Sequence, residues 1–203
     1  MNWRPILTAA ALMLIVTGLV VGVITPLLTE NPGQPLTSLH RGRLMYVMIS
    51  AWESEDPGGG WPAYGSNSVS FGFQDSTDYC RRLLEAGSNT LDYSFFSLRG
   101  LPSARTTNAA EFTSANNAWC ITANVDEQTP DRTPVIFTRN ISVTNTAQCT
   151  GPVAATLGDE PPYGRDVAVV VLRGGTVMNV RPDDTWETVL GNVAPGRLPV
   201  LRP

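Results

Sequence analysis

ILTAAALMLIVTGLVVGVITPLL, from Ile6 to Leu28, is a run of 23 residues without a single charge. At ~1.5 Å of rise per residue, a helix of this length crosses the ~30 Å hydrocarbon core of a bilayer. It can do so because a helix satisfies its own backbone hydrogen bonds where there is no water. The run is longer than a secretory signal core, and no small-x-small cleavage site stands out in Leu27-Leu28-Thr29-Glu30. It predicts an uncleaved transmembrane helix over residues 6–28. Arg4 and the amino terminus on one side, against Glu30 on the other, leave residues 1–5 in the cytoplasm and export the rest. Gly18 and Gly22 form a Gly-x-x-x-Gly pair within the run, a spacing that lets two membrane helices approach closely.

Outward from this run, Pro32, Gly33 and Pro35 predict a break over residues 29–36. Thr37 or Ser38 then caps a second helix, in which Leu39, Leu44, Met45, Val47, Met48, Ile49 and Trp52 form a broad apolar face. Pro57-Gly58-Gly59-Gly60 ends it by Asp56. Val69–Phe73 alternates like a short strand. Ser76–Ala86 reads as a helix, capped by Asp75 or Ser76 and closed at Gly87. Leu91–Leu98 is aromatic and short. Ala118–Asn124 and Pro134–Thr138 read as strands on either side of an acidic loop, Asp126–Thr133. Asp166–Arg173 and Thr176–Arg181 flank Gly174-Gly175 as a hairpin. Asp183 or Asp184 caps a last helical turn through Leu190, and residues 195–203 read as a loose tail. The expected fold class is α+β: an N-terminal transmembrane helix, a second helix and a small antiparallel sheet, with one exported domain over residues 37–194.

Composition removes several functions. All fourteen basic residues are arginine, so there is no lysine for a Schiff base, a serine–lysine dyad or a phosphate-binding loop. The net charge of −4 and a pI near 4.9 argue against a broad basic surface, and no nucleic-acid partner is expected. The single histidine, His40, rules out zinc sites built from several histidines and reads as a helix-surface residue, with no nucleophile elbow to serve. Cys80, Cys120 and Cys149 leave one disulfide plus a free thiol, or three small core residues, both open. Carboxylates cluster at Glu53/Glu55/Asp56, Asp159/Glu160 and Asp183/Asp184/Glu187. Such pairs serve glycoside hydrolysis or calcium binding only when they converge in space, and each cluster sits beside a predicted turn. No cofactor is expected. Asn140-Ile141-Ser142 fits the N-glycosylation pattern.

Two stretches carry a family likeness. Asn116, Asn117, Ala118, Trp119 and Cys120, followed by Thr133, Pro134, Phe137, Thr138, Arg139 and Asn140, resemble a segment of the type IV pilin-like (type II secretion pseudopilin-like) proteins of the Verrucomicrobia and related bacteria. Ser76–Arg82, Gly87, Asp92–Phe96 and the Val169–Val180 hairpin are similar to flanking blocks, so the likeness spans residues 38–182. It implies a hydrophobic N-terminal helix, its soluble continuation and an antiparallel sheet packed on that continuation. It also implies a non-enzymatic structural or assembly role in a pilus or secretion system, at a bacterial inner membrane with the domain in the periplasm. Its implied partners are the membrane and other pilin-like or secretion-system subunits. The chain departs from the pilin pattern in the short basic leader and in the fifth-position glutamate, whose place within residues 6–28 is empty. A permanently anchored relative or minor subunit is the expectation that follows.

The alternative is a membrane-anchored periplasmic module binding a polysaccharide or a partner protein through Trp52, Trp61, Tyr64, Trp119 and Trp186. A carboxylate-dependent hydrolase is the third class.

Overall fold

A computed structural model describes residues 35–55, 61–62, 72–87, 91–191, 193–194 and 196–203. The predicted membrane helix, with Gly18 and Gly22, lies outside the described residues, as do Tyr64 and most of the predicted strand at 69–73. Among the described residues no helix is long and apolar enough to cross a membrane.

Helix α1 runs from Pro35 to Glu55. It starts two residues before the predicted cap, because the fixed φ of proline suits the first turn of a helix, where no N–H bond is lost. Its buried positions Ser38, Gly42, Met45 and Ile49 recur at helical spacing and form one face. At Gly42 this face lies directly on the sheet. A Cβ there would lie 3.1 Å from Val171 Cγ2 and 3.5 Å from the Trp119 ring. The Tyr46 hydroxyl donates to the Arg173 carbonyl at 2.7 Å, fastening the helix to a hairpin. The broad apolar face expected of this helix is narrower in fact. Leu44 and Val47 point outward and remain 51% and 53% exposed.

Helix α2, Ser76–Gly87, is capped by Asp75, whose Oδ1 accepts from the Asp78 N–H at 2.9 Å. It buries Tyr79, Cys80, Leu83 and Leu84. The aromatic stretch after it forms a 3-10 turn, Tyr93–Phe96, started by Asp92 accepting from the Ser94 N–H. Tyr93 stacks on Phe112 with centroids 4.9 Å apart, and Phe95 meets Phe96 edge-on at 5.2 Å. The Arg41 guanidinium donates to the carbonyls of Ser94, Phe95 and Ser97, tying α1 to this turn.

The sheet comprises β1 (Trp119–Thr122), β2 (Pro134–Thr138), β3 (Ala168–Leu172), β4 (Val177–Val180) and β5 (Val200–Leu201), in the order β4-β3-β2-β1-β5 with every pair antiparallel. The fold is therefore α+β with a small five-stranded antiparallel sheet. Strands β1, β2 and β3 are buried at every position, which requires cover on both faces. Alternation sends Trp119, Ile121, Val169 and Val171 toward α1 and α2. It sends Cys120, Phe137, Ala168, Val170 and Leu172 to the other side. There Ile141, Val143, Val153 and Leu157 from the connecting segments cover them, together with Trp186 and Leu190 of helix α3, Trp186–Leu190.

Three local expectations change. The β3–β4 turn is not the two glycines alone. Gly175 N–H donates to Leu172 O, Leu172 N–H donates to Thr176 O, and Gly175 sits at φ 78°, the three-residue hairpin with a left-handed last position. Helix α3 is capped by Thr185 rather than by an aspartate, because Asp184 is already accepting from the Arg181 N–H at 2.7 Å. The tail predicted to be loose is held on both sides. Val200–Leu201 pairs with β1, Val200 N–H donates to Thr144 O, and Thr146 N–H donates to Leu198 O. Val200 buries into the far-side cluster and Leu201, paired with Ile121, is buried as well, which a proline-rich composition conceals.

Replacing Gly42 with leucine should separate α1 from the sheet. Overpacking of this kind costs about 1–3 kcal/mol, so the urea midpoint should fall with little change in slope. An unchanged midpoint would mean that α1 does not rest on Val171 and Trp119.

Candidate functional site

The residues singled out from the two similar stretches come together at one end of the β1–β2 pair. Trp119 faces Thr138 and Cys120 faces Phe137 in register, and Arg139 N–H donates to Ala118 O at 2.8 Å. Asn117 is the hub. Its Oδ1 accepts from Trp119 N–H at 3.0 Å and its Nδ2 donates to Ser76 Oγ at 3.1 Å, while Ser76 Oγ donates to Trp119 O at 2.7 Å. The amide thus locks the start of α2 to the start of β1. Asn116 closes the preceding turn, accepting from Thr113 N–H at 2.9 Å and donating to Pro102 O at 3.0 Å. Thr138 Oγ1 accepts from Val169 N–H at 3.1 Å, a side chain bridging β2 to β3.

Asn140 is buried, and its Nδ2 donates to Gly164 O at 2.7 Å and Val167 O at 2.8 Å. In the folded domain this amide serves as a structural lock between the Asn140 turn and residues 164–167. Arg139 donates to the carbonyls of Ser114 and Asn117 and meets Glu160 at 3.2 Å. Arg202, which the sequence reading did not single out, donates to Ile141 O at 2.6 Å and Arg139 O at 2.9 Å. Glu160 lies 3.8 Å from Arg202 as well, between the two guanidinium groups, but half exposed, so the pairs themselves stabilise little. Nothing in the spacing of the sequence placed residue 202 beside residue 139. What these groups do chemically is mostly hold backbone, since Asn116, Asn117, Thr138, Arg139, Asn140 and Arg202 all bond main-chain groups, while the Trp119 indole N–H and Asn140 Oδ1 are buried without a hydrogen-bond partner.

The remaining candidates are dispersed. Asp159 pairs with Arg165 at 2.8 Å, Asp184 holds the Arg181 N–H, and Glu187 accepts from Gly151 N–H at 2.8 Å. Among the described residues no three His, Cys, Asp or Glu side chains are grouped as a metal site would need. Trp119 and Trp186 are core residues, and the Trp186 indole N–H donates to Thr156 Oγ1. Trp52 stacks on Tyr79 and Trp61 tilts against Tyr46, each with centroids 6.2 Å apart. These four tryptophans therefore form no exposed row. A cleft of about 210 Å³ lies between Cys149, Thr150, Trp186, Glu187, Leu190, Val193 and Ala194. It is smaller than the roughly 300–1,000 Å³ usual for ligand sites.

All three cysteines are free and buried, Cys80 on the helix side of the sheet and Cys120 and Cys149 on the far side. Burial pushes the Cys120 and Cys149 thiols up to about 12 and raises Cys80 well above its ordinary value, so none is a nucleophile near neutral pH.

Asn117→Ala leaves Ser76 and Trp119 short of partners inside the core and should cost about 1–3 kcal/mol in urea denaturation; a loss below a few tenths would remove Asn117 as the hub. The thiols make a second test. Their folded values lie above the ordinary value near 9, so above pH 9 the unfolded chain releases protons that the folded chain keeps. Stability should fall as pH rises from about 9 toward 12, by about 1.4 kcal/mol per pH unit per thiol. Cys149→Ala should make that slope shallower by about one proton, and an unchanged slope would mean that Cys149 is not held protonated.

Compared with known proteins, the chain matches no family model, and no curated sequence or solved structure is significantly similar to it.

Proposed function

We propose that this chain is a membrane-anchored, non-enzymatic subunit with a pilin-like exported domain, serving a structural or assembly role in a pilus or type II secretion-type system. The observation that carries the reading is the course of α1. This 21-residue helix begins seven positions after the end of the apolar run at Leu28 and lies across the antiparallel sheet at Gly42. That is the layout expected of a soluble helix continuing from a membrane helix with a sheet packed upon it. A second support comes from the motif positions Asn117, Trp119, Thr138 and Arg139, which join α2, β1, β2 and β3 into one scaffold. Their bonds build a rigid body rather than a reacting centre. The domain sits in the periplasm of a bacterial cell in this reading, with residues 1–5 in the cytoplasm.

Expressed in a bacterial host, the full chain should stay in the membrane pellet after extraction at pH 11, and protease added to spheroplasts should digest the domain from outside. Deleting residues 6–28 should move it to the soluble fraction. Release of the intact chain by alkali would overturn the anchor, and protection from protease in spheroplasts would overturn the export.

A further inference from the structure

Helix α1 carries apolar residues on both of its faces. Met45 and Ile49 are buried in the core, while Leu44, Val47 and Ala51 on the opposite side are exposed. At 51% and 53%, Leu44 and Val47 are the most exposed large apolar side chains among the described residues. They lie one helical turn apart and so form a single patch. Arg43 flanks it, one turn before Val47, and is itself exposed. A helix apolar on two sides calls for a second apolar surrounding besides the core.

We propose that this patch rests on the surface of the bilayer that residues 6–28 cross, with Leu44 and Val47 in the headgroup–acyl boundary and the Arg43 guanidinium among the lipid phosphates. The proposal rests on the anchored reading above. Leu28 and Pro35 are seven residues apart, so extended chain allows at most about 25 Å between them. Leu44 and Val47 follow nine and twelve residues along α1, about 14 and 18 Å at helical rise. The patch therefore stays close to the bilayer in every copy of the chain. Contact with that surface is intramolecular, so a small apolar area suffices for it. Charge favours the same occupant. The only carboxylates of α1, Glu53 and Glu55, fall in its last three residues, and Arg43 enters no ion pair among the described residues. The end of the helix nearest the anchor thus presents a free cation, which anionic lipid attracts, and the acidic end lies farthest away. The aliphatic stem of Arg43 can cover apolar surface while its head reaches phosphate. Held to the sheet by one face and to lipid by the other, α1 seats the domain over the membrane.

The test uses the full chain reconstituted in phosphatidylcholine–phosphatidylglycerol vesicles, with flotation after an alkaline wash verifying the anchor. An environment-sensitive fluorophore is attached to Leu44→Cys, Val47→Cys or, as a control, Glu85→Cys, exposed on α2. The unmodified chain, whose three thiols are buried, is the labelling blank. Brominated lipid should quench the probe at 44 and 47 while iodide does not, and the reverse should hold at 85. Arg43→Gln should shift the balance at 47 toward iodide by about fivefold, the weight of one cation at an anionic surface. Vesicles of phosphatidylcholine alone should shift it in the same direction. Iodide quenching at 44 and 47 equal to that at 85, in chain that floats, overturns the contact and leaves the anchor standing. Shielding from both quenchers puts protein rather than lipid on the patch and overturns it as well. Chain that fails to float overturns the anchor, and the contact falls with it.

Discussion

The close approach of α1 to the sheet at Gly42 is the contact on which the rest of this structure depends. A hydrogen in place of a side chain lets the helix backbone settle over Val171 and the Trp119 ring. Met45 and Ile49 follow it into the core, Tyr46 reaches the β3–β4 turn, and Arg41 reaches the carbonyls of the Tyr93–Phe96 turn. One helix thus organises a hairpin far along the chain and an aromatic cluster in its middle. A bulkier residue at this point would lift all of these contacts together.

The sheet itself is buried on both faces, an arrangement more usual for parallel sheets than for antiparallel ones. Here the second face is covered mostly by connecting segments and one short helix, and those segments need fixed backbones to serve as a layer. The asparagines, threonines and arginines near β1 and β2 supply that fixation by bonding to main-chain groups. The same residue types that attract attention as a motif are thereby committed to architecture.

Elements written in local pattern were legible in the sequence. Pro134–Thr138 is a strand with the expected limits, Ser76–Gly87 is a helix with the expected aspartate cap, and the glycine-marked hairpin is present. What stayed hidden depends on tertiary placement. Leu44 and Val47 are as apolar as Met45 and Ile49, and only the position of the sheet decides which pair is covered. Asp184 looks as good a cap as Thr185 until Arg181 claims it. The tail reads as loose because prolines at 195, 199 and 203 mask the two-residue strand between them. Of the candidate site, the sequence marked Asn117, Thr138 and Arg139 but gave no sign of Ser76 Oγ or Arg202 as their partners, since those contacts join residues scores of positions apart.

The placement of β5 sets an order of events. Its two residues fill the outer edge of β1 and are clamped from beyond by Thr144 and Thr146. Until residue 201 has emerged, that edge keeps its N–H and C=O groups unpaired, and Cys120, Ile141 and Phe137 lack part of their cover. A chain delivered from its amino end therefore cannot finish this domain progressively. The sheet waits, open along one side, for a strand that lies far along the chain from its partner β1, and the interval is when the chain is exposed to proteolysis and to mispairing with its neighbours.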